Sequence, residues 1–189
     1  YLKDTRAQGI IVNPDPSKSF EVYADADFSG NWNQHTAHLD STTAKSRSGY
    51  IIMLHGVPLI WHSKLQTQIA LSTTEAEYIA LSQSLRDTIP LMNLLLELHN
   101  HGFKGEYSIP KVHCKAFEDN SGALELAKTP KMRPRTKHIN LVYHHFRAYV
   151  LTGAVSVHPI DTKSQLADLL TKPLDQNLFQ KHRRDILGW

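Results

Sequence analysis

The hydrophobic period of this sequence changes near Ser72, from two residues to three or four. Upstream, apolar and polar residues alternate, which is typical of a strand with one buried face. Downstream, apolar residues recur at the spacing of one face of an α-helix. Helices and strands bury these patterns by packing on each other, so the sequence predicts an α/β fold. The alternating apolar residues are Phe20, Val22, Ala24, Ala26 and Phe28, and the helical series is Ile79, Leu81, Leu85, Ile89, Met92, Leu95, Leu96 and His99.

Three strands are predicted before the change of period. The first covers residues 20–28, and the next two cover residues 49–54 and 57–61 around a short turn that contains Gly56. Such a short turn joins antiparallel neighbours, so the three strands predict an antiparallel meander.

A long helix is predicted after Ser72, which forms a capping-box pattern with Glu75. Pro90 lies inside this helix and lacks the N–H that a helix interior needs, so we expect a kink or a break near Arg86. The following elements are predicted as a strand at 112–117, a helix at 122–128, a helix at about 138–151, a strand at 155–159, a helix at 164–170 and a charged extension from Asp175.

Size and composition exclude several classes of protein. A chain of 189 residues with a hydrophobic fraction of 41% can bury one compact core, which argues against intrinsic disorder. No apolar run approaches the roughly 20 residues of a membrane-spanning helix, and the N-terminal segment lacks the apolar region of a secretory signal. The lack of such a run predicts that the protein has no membrane partner. With the single cysteine Cys114, the chain cannot form an internal disulfide, which predicts a reducing compartment.

Acidic residues lie at positions where the predicted elements could bring them together. Taken singly, each has an ordinary explanation, as an exposed side chain or as a charge that complements a helix dipole. Aspartate is depleted in strands, so the two within the first strand are the least ordinary. The candidates are Asp25 and Asp27 in the first strand, Glu75 and Glu77 at the start of the long helix, Asp119 after the fourth strand, and Asp168 in the last helix.

Short segments along the chain carry a resemblance to a known family. They are YADADFSG at 23–30, SRSGY at 46–50, IWHSK at 60–64, STTEAEYIAL at 72–81, EDNSGA at 118–123, RTKHI at 135–139 and QLADLLTKPL at 165–174. In this order they resemble the ribonuclease H domain of copia-type LTR retrotransposons, from about Tyr1 to Leu174. The opening YLKDTR at 1–6 is similar to the end of the reverse transcriptase that precedes this domain in the family.

The resemblance implies a ribonuclease H-like fold, an α/β fold with a mixed five-stranded sheet and helices on both faces. It also implies a set of catalytic and metal-binding residues, namely Asp25, Glu77, Asp119 and Asp168. Within the long helix, Glu75 and Glu77 point roughly 200° apart, so only one of them can face a site. Glu75 already fits the capping box, and Thr74 with Glu77 fits the same pattern, so local capping competes with ligation at both positions. Glu77 is preferred, as Asp25 is over Asp27, by matching to the family.

The implied activity is a metal-dependent endonuclease that hydrolyses the RNA strand of RNA:DNA hybrids during reverse transcription, leaving 5′-phosphate and 3′-hydroxyl ends. Its implied cofactors are two Mg²⁺ ions, for which Mn²⁺ can substitute. The residue types agree with this chemistry, because Mg²⁺ prefers carboxylate oxygens and a pair of ions can stabilise the charge that develops in phosphodiester hydrolysis.

A basic run separates the fourth strand from the last one. It contains Lys131, Arg133, Arg135, Lys137 and His138, and we expect them to bind the phosphate backbone of the hybrid. The last three of these residues lie in the family-like segment at 135–139. A solvated loop is the alternative from charge alone. Lys45, Arg47 and Arg147 are secondary candidates. His158 has a spacing from Asp168 similar to that of a histidine in related ribonucleases H, but an ordinary surface histidine is the preferred interpretation.

The predicted organisation is a linker from an upstream reverse transcriptase at 1–19, a ribonuclease H-like domain at 20–174 and an extension at 175–189. The implied partners are the hybrid and the reverse transcriptase domain of the same polyprotein, and the implied location is a cytoplasmic virus-like particle, with the nucleus as an alternative. The competing function is a catalytically inactive ribonuclease H-like module that binds nucleic acid or tethers the polymerase.

Overall fold

The computed structural model describes residues 2–36, 38–103, 112–129 and 145–189. The strands in this part of the chain are β1 (Phe20–Asp27), β2 (Arg47–Leu54), β3 (Val57–Leu65), β4 (Cys114–Glu118) and β5 (Val155–Pro159). The α-helices are α1 (Leu2–Thr5), α2 (Thr73–Asn100), α3 (Ser121–Lys128), α4 (Arg147–Leu151), α5 (Asp168–Thr171) and α6 (Gln176–Leu187), and short 3-10 helices cover Ser41–Ala44 and Thr162–Ser164. Among the described helices, none combines the length and the apolar character needed to cross a bilayer.

The five strands form one mixed sheet in the order β3-β2-β1-β4-β5. β1 pairs antiparallel with β2, and β2 with β3, whereas β4 is parallel to both β1 and β5. This confirms the predicted antiparallel meander and the predicted mixed five-stranded sheet. Because β1 and β4 are parallel neighbours, the residues at their C-terminal ends meet at the same edge of the sheet.

Side chains along β2 point alternately to two hydrophobic clusters, one on each face of the sheet. Tyr50 and Ile52 belong to the larger cluster, which includes the buried face of α2. Ile51 and Met53 belong to a smaller cluster with Leu166. The helices follow the same division, since α2 packs in the larger cluster, whereas Leu170 of α5 and Ile186 of α6 pack against the smaller one. Helices therefore cover both faces, as predicted.

α2 is one helix of 28 residues, so the break predicted near Arg86 is wrong. Pro90 and Arg86 are both exposed, so water can bond to the Arg86 carbonyl that proline leaves without a donor. Leu85, Ile89 and Met92 are buried in the core and hold the helix against the sheet. Burial of these side chains outweighs the lost backbone hydrogen bond.

The N-terminus of α2 is capped by Ser72, whose hydroxyl accepts a hydrogen bond from the Glu75 N–H at 3.1 Å. We expect Ser72→Ala to destabilise the protein by about 1 kcal/mol, because one N–H of the first turn loses its acceptor. The matched control is Ser121→Ala, at an exposed position in the first turn of α3. Thermal unfolding followed by circular dichroism should show a lower melting temperature, by roughly 2–4 °C, for Ser72→Ala alone. Equal melting temperatures for the two variants would contradict the assigned cap.

The C-terminal region differs from the sequence-based prediction in two ways. The predicted helix from Ser164 to Leu170 is wrong at its start, because α5 begins only at Asp168. Gln165 accounts for the delay, since its side-chain amide donates to the carbonyl of Ala24 at 2.9 Å and thereby ties the chain to β1. The extension from Asp175 contains α6, which Asp175 caps and which contacts β3. The helix predicted at about 138–151 is described only from residue 145, and α4 lies within it.

Candidate active site

Three of the predicted acids meet at the edge of the sheet where β1 and β4 end. Asp25 lies near the end of β1, Asp119 directly follows β4, and Glu77 lies in the second turn of α2. One carboxylate oxygen from each residue lies within 4.8 Å of the other two. Three oxygen donors at this separation can ligate a single cation. We refer to Asp25, Glu77 and Asp119 as the acid cluster.

Glu77 is held in the acid cluster by the backbone of β1. The N–H of Ala26 donates to Glu77 Oε2 at 2.8 Å. Glu75 is occupied elsewhere, because its Oε2 accepts a hydrogen bond from the Leu71 N–H at 2.8 Å. Glu75 therefore caps the N-terminus of α2 through the N–H of Leu71, one residue before the Ser72 of the predicted capping box. The structure places Glu77, not Glu75, beside Asp25.

Asp25 is almost completely buried and is contacted by two successive residues at the end of α5. The hydroxyl of Thr171 donates to Asp25 Oδ2. The ammonium of Lys172 lies 3.5 Å from Asp25 Oδ1. Asp27, the alternative considered from the sequence, is outside the acid cluster. The side chain of Asp119 is oriented by the hydroxyl of Thr162, which donates to Oδ2 at 2.9 Å.

Asp168 is brought to the site by α5 but is not part of the acid cluster. Its Oδ1 lies 3.0 Å from the Lys172 ammonium, which also contacts Asp25. The side chain of Asp168 is 2% exposed. The fourth predicted acid therefore shares a contact with Asp25, through the same lysine.

Sequence reasoning missed Glu118, Thr171 and Lys172. Glu118 is completely buried, and its Oε1 accepts a hydrogen bond from the Asn120 N–H at 3.0 Å. The alternation of β4 could have found it, because Glu118 shares a face with the buried residues Cys114 and Ala116. No periodicity marks residues 171 and 172, since they lie at the end of a helix of one turn.

The buried carboxylates disfavour one another in their charged forms. Burial, followed by the charges of Glu118, Asp25 and Asp119, raises the pKa of Glu77 to about 10. Burial is also the main reason why the pKa of Glu118 rises to about 8 and that of Asp168 to about 7. A hard divalent cation offsets this repulsion, and carboxylate oxygens are the donors that Mg²⁺ and Mn²⁺ prefer. The donor set of the acid cluster therefore fits such an ion.

We expect the metal-free protein to lose stability between about pH 7 and about pH 9. In this range the folded protein keeps the proton of Glu77 and gives up that of Glu118 only near pH 8, whereas both glutamates are already ionised in the unfolded chain. The folded state then binds more protons than the unfolded state, so the free energy of unfolding falls as the pH rises. Thermal unfolding in a chelator should show the decrease, and it should be smaller in Glu77→Gln. A melting temperature that rises over this range would contradict the raised pKa values.

The predicted nucleic-acid-binding residues lie outside the described part of the chain. They are Lys131, Arg133, Arg135, Lys137 and His138. Of the secondary candidates, Arg147 has a structural contact, because its guanidinium donates to the carbonyls of Leu126 and Thr129 at 2.9 Å and 2.6 Å. His158 is exposed on β5 and its Nε2 lies 2.7 Å from the Ser156 hydroxyl.

The strand order and the helices on both faces define a ribonuclease H fold, and solved structures agree. LC11-RNase H1, isolated from compost, has a TM-score of 0.55 at 16% sequence identity, covering 81% of this chain and 92% of that one. A crystal structure of LC11-RNase H1 in complex with an RNA/DNA hybrid has a TM-score of 0.51 at 15% identity, covering 81% and 94%. At these identities the similarity establishes the fold alone.

Over nearly its whole length, the chain is a homologue of retrovirus-related Pol polyproteins from copia-type transposons. It is 36% identical over 186 residues to the Pol polyprotein of transposon RE2 from Arabidopsis thaliana, which covers 98% of this chain and 12% of the relative. It is 38% identical over 181 residues to that of transposon TNT 1-94 from Nicotiana tabacum, covering 95% and 12%. The chain thus spans about an eighth of the length of these relatives. No family model matches the chain.

Proposed function

We propose that this chain is the ribonuclease H of a retrotransposon Pol polyprotein and that it hydrolyses the RNA strand of RNA:DNA hybrids during reverse transcription. The observation that supports the proposal most is the acid cluster of Asp25, Glu77 and Asp119 at the edge of a ribonuclease H fold. The LC11-RNase H1 complex, whose bound molecule is an RNA/DNA hybrid, suggests the substrate class. Homology to Pol polyproteins supports the proposal that the chain is part of a retrotransposon Pol polyprotein.

In this proposal Asp25, Glu77 and Asp119 bind Mg²⁺ or Mn²⁺, and Asp168 serves a second ion of the same kind. When bound, such ions activate water and stabilise the charge that develops on phosphate oxygens. The rest of the site orients the carboxylates. The Ala26 N–H fixes Glu77, and the Thr171 hydroxyl fixes Asp25. Because these hydrogen bonds already orient the carboxylate oxygens, the side chains reorganise less when a cation binds.

Further parts of the proposal follow from the family rather than from the acid cluster. The products carry 5′-phosphate and 3′-hydroxyl ends. The basic run from Lys131 to His138 holds the hybrid, and the ribonuclease H-like domain covers residues 20–174 between a reverse transcriptase and a C-terminal extension. The reverse transcriptase of the same polyprotein is the partner, and a cytoplasmic virus-like particle is the location.

The direct test is a cleavage assay with a labelled RNA:DNA hybrid, the same RNA as a single strand and the same RNA as a duplex with RNA. We expect Mg²⁺-dependent cleavage of the hybrid alone, which stops when a chelator is added. Binding of the hybrid without cleavage at any Mg²⁺ or Mn²⁺ concentration would contradict the proposal and favour the inactive module that binds nucleic acid.

A further inference from the structure

The ammonium of Lys172 contacts two carboxylates, that of Asp25 in the acid cluster and that of Asp168 beside it. It is 3.0 Å from Asp168 Oδ1 and 3.5 Å from Asp25 Oδ1. The side chain of each carboxylate is 2% exposed, whereas that of Lys172 is 36% exposed. A positive charge of the protein itself thus neutralises part of a buried acidic site.

The backbone of α5 places this ammonium. Lys172 is the C-terminal cap of the helix, and its N–H donates to the Asp168 carbonyl at 3.1 Å. The ammonium and the Asp168 carboxylate therefore have the i, i+4 arrangement in which side chains on a helix meet. Thr171, the residue before it, donates to Asp25 at the same time. The position of the ammonium is thus set by the segment that orients Asp25.

An ion that ligates both Asp25 and Asp168 would compete with the Lys172 ammonium for the same oxygens. Mg²⁺ requires oxygens at about 2.1 Å, so the ion and the ammonium cannot both lie between these two carboxylates. The acid cluster includes Asp25 but neither Asp168 nor Lys172. One ion can therefore bind in the acid cluster while Lys172 keeps its contact with Asp168, whereas a second ion beside Asp168 requires the lysine to leave.

The exposure of Lys172 gives the lysine a route away from the site. More than a third of its side chain is open to solvent, so the ammonium can move outward without unfolding of α5. The cost of leaving is the loss of two contacts with buried carboxylates, and buried ion pairs are costly to break when a charge is left unpaired. The incoming ion supplies the replacement charge, so release of the Lys172 ammonium and binding of the second ion are coupled.

We propose that Lys172 is an internal counter-ion that occupies the place of a second divalent ion and that its displacement sets the metal concentration at which this ion binds. The inference rests on the proposed function, because it assigns a regulatory role to a residue of the same site. Lys172 is a positioning residue in this account, since it keeps Asp25 and Asp168 together before the second ion arrives.

Calorimetric titration of the full chain with Mn²⁺, in the absence of nucleic acid, tests the inference. We expect Lys172→Met to raise the affinity for the second ion by roughly tenfold or more, because the competing charge is gone. Lys64→Met makes the same change of net charge on the exposed side of β3 and should match the wild type. If Lys172→Met does not fold, Lys172→Gln keeps a hydrogen-bond donor for the carboxylates and should show the same increase.

The outcomes separate this inference from the proposed function. A second-ion affinity that is unchanged or lower in both folded variants of Lys172 overturns the role of the lysine. Binding of one ion only, in wild type and variants alike, also overturns it but leaves the metal-dependent function in place. A wild-type chain that binds no Mn²⁺ contradicts the proposed function and the inference together.

Discussion

Glu77→Gln is expected to abolish hybrid cleavage and, at the same time, to make the metal-free protein more stable. Glu77 supplies one of the three oxygens of the acid cluster. A neutral amide is a poor ligand for Mg²⁺, so we expect the cleavage rate to fall by about a thousandfold or more, as for other residues that act in a catalytic unit.

The gain in stability has a separate physical reason. Burial and the neighbouring carboxylates raise the pKa of Glu77 to about 10, so its charged form is disfavoured in the folded protein. Glutamine removes this charge but keeps an oxygen that can accept the Ala26 N–H now bonded to Glu77. We expect the melting temperature in a chelator at about pH 9 to rise by at least roughly 2 °C.

The matched control is Glu75→Gln, which makes the same chemical change two residues earlier on the same helix. Glu75 caps the N-terminus of α2 through the Leu71 N–H. We therefore expect Glu75→Gln to keep its cleavage activity and to lose a little stability, since a charge-assisted cap becomes a neutral one. Loss of activity in Glu75→Gln with full activity in Glu77→Gln would show that Glu75, and not Glu77, belongs to the catalytic site.

Gly49→Val is expected to have the largest effect on stability among the substitutions considered. Gly49 lies on β2 opposite Asp25 of β1. A Cβ atom at this position would lie 2.6 Å from Thr171 Cγ2 and 2.9 Å from Leu170 Cβ. α5 therefore packs directly on the backbone of β2, and valine would force the helix away. Overpacking of this kind costs about 1–3 kcal/mol.

The same substitution should also impair the site, because α5 carries three of its side chains. Asp168, Thr171 and Lys172 all contact Asp25 or each other. We expect weaker Mn²⁺ binding in titration calorimetry and a lower melting temperature in circular dichroism. Gly9→Val is the control, because nothing lies within 4 Å of a Cβ at that position. Wild-type metal affinity and stability in Gly49→Val would contradict the packing of α5 on β2.

Much of the fold follows from residues whose pattern is local. The alternation from Phe20 onward and the short turn at Gly56 predict the meander, and the strand order of the structure agrees. The helix break that Pro90 predicts does not occur, because the rule for proline takes no account of whether the free carbonyl can reach water. In the protein that carbonyl belongs to an exposed residue, while core contacts on the opposite face of α2 hold the helix.

The C-terminal elements were harder to predict, because their form depends on distant contacts. Gln165 bonds to the backbone of β1 and thereby delays the start of α5. α6 has a charged composition that resembles an extension, yet its cap at Asp175 and its contact with β3 make it part of the fold. Tertiary contacts of this kind leave no periodic signal in a short segment.

The sequence identifies the acidic residues of the candidate site but not the side chains that contact them. The structure brings Asp25, Glu77 and Asp119 together and places Asp168 beside them. The lysine that contacts both aspartates could not be predicted, because the contact depends on how α5 packs on β2. The alternation of β4 indicates that Glu118 is buried, although only its neighbour Asp119 was predicted as a site residue.

A crystal soaked in Mn²⁺, with anomalous diffraction measured at the manganese edge, tests the acid cluster most directly. We expect a manganese peak ligated by Asp25, Glu77 and Asp119. A peak ligated by Glu75 in place of Glu77, or no peak among these three carboxylates in a crystal soaked to saturation, would contradict it.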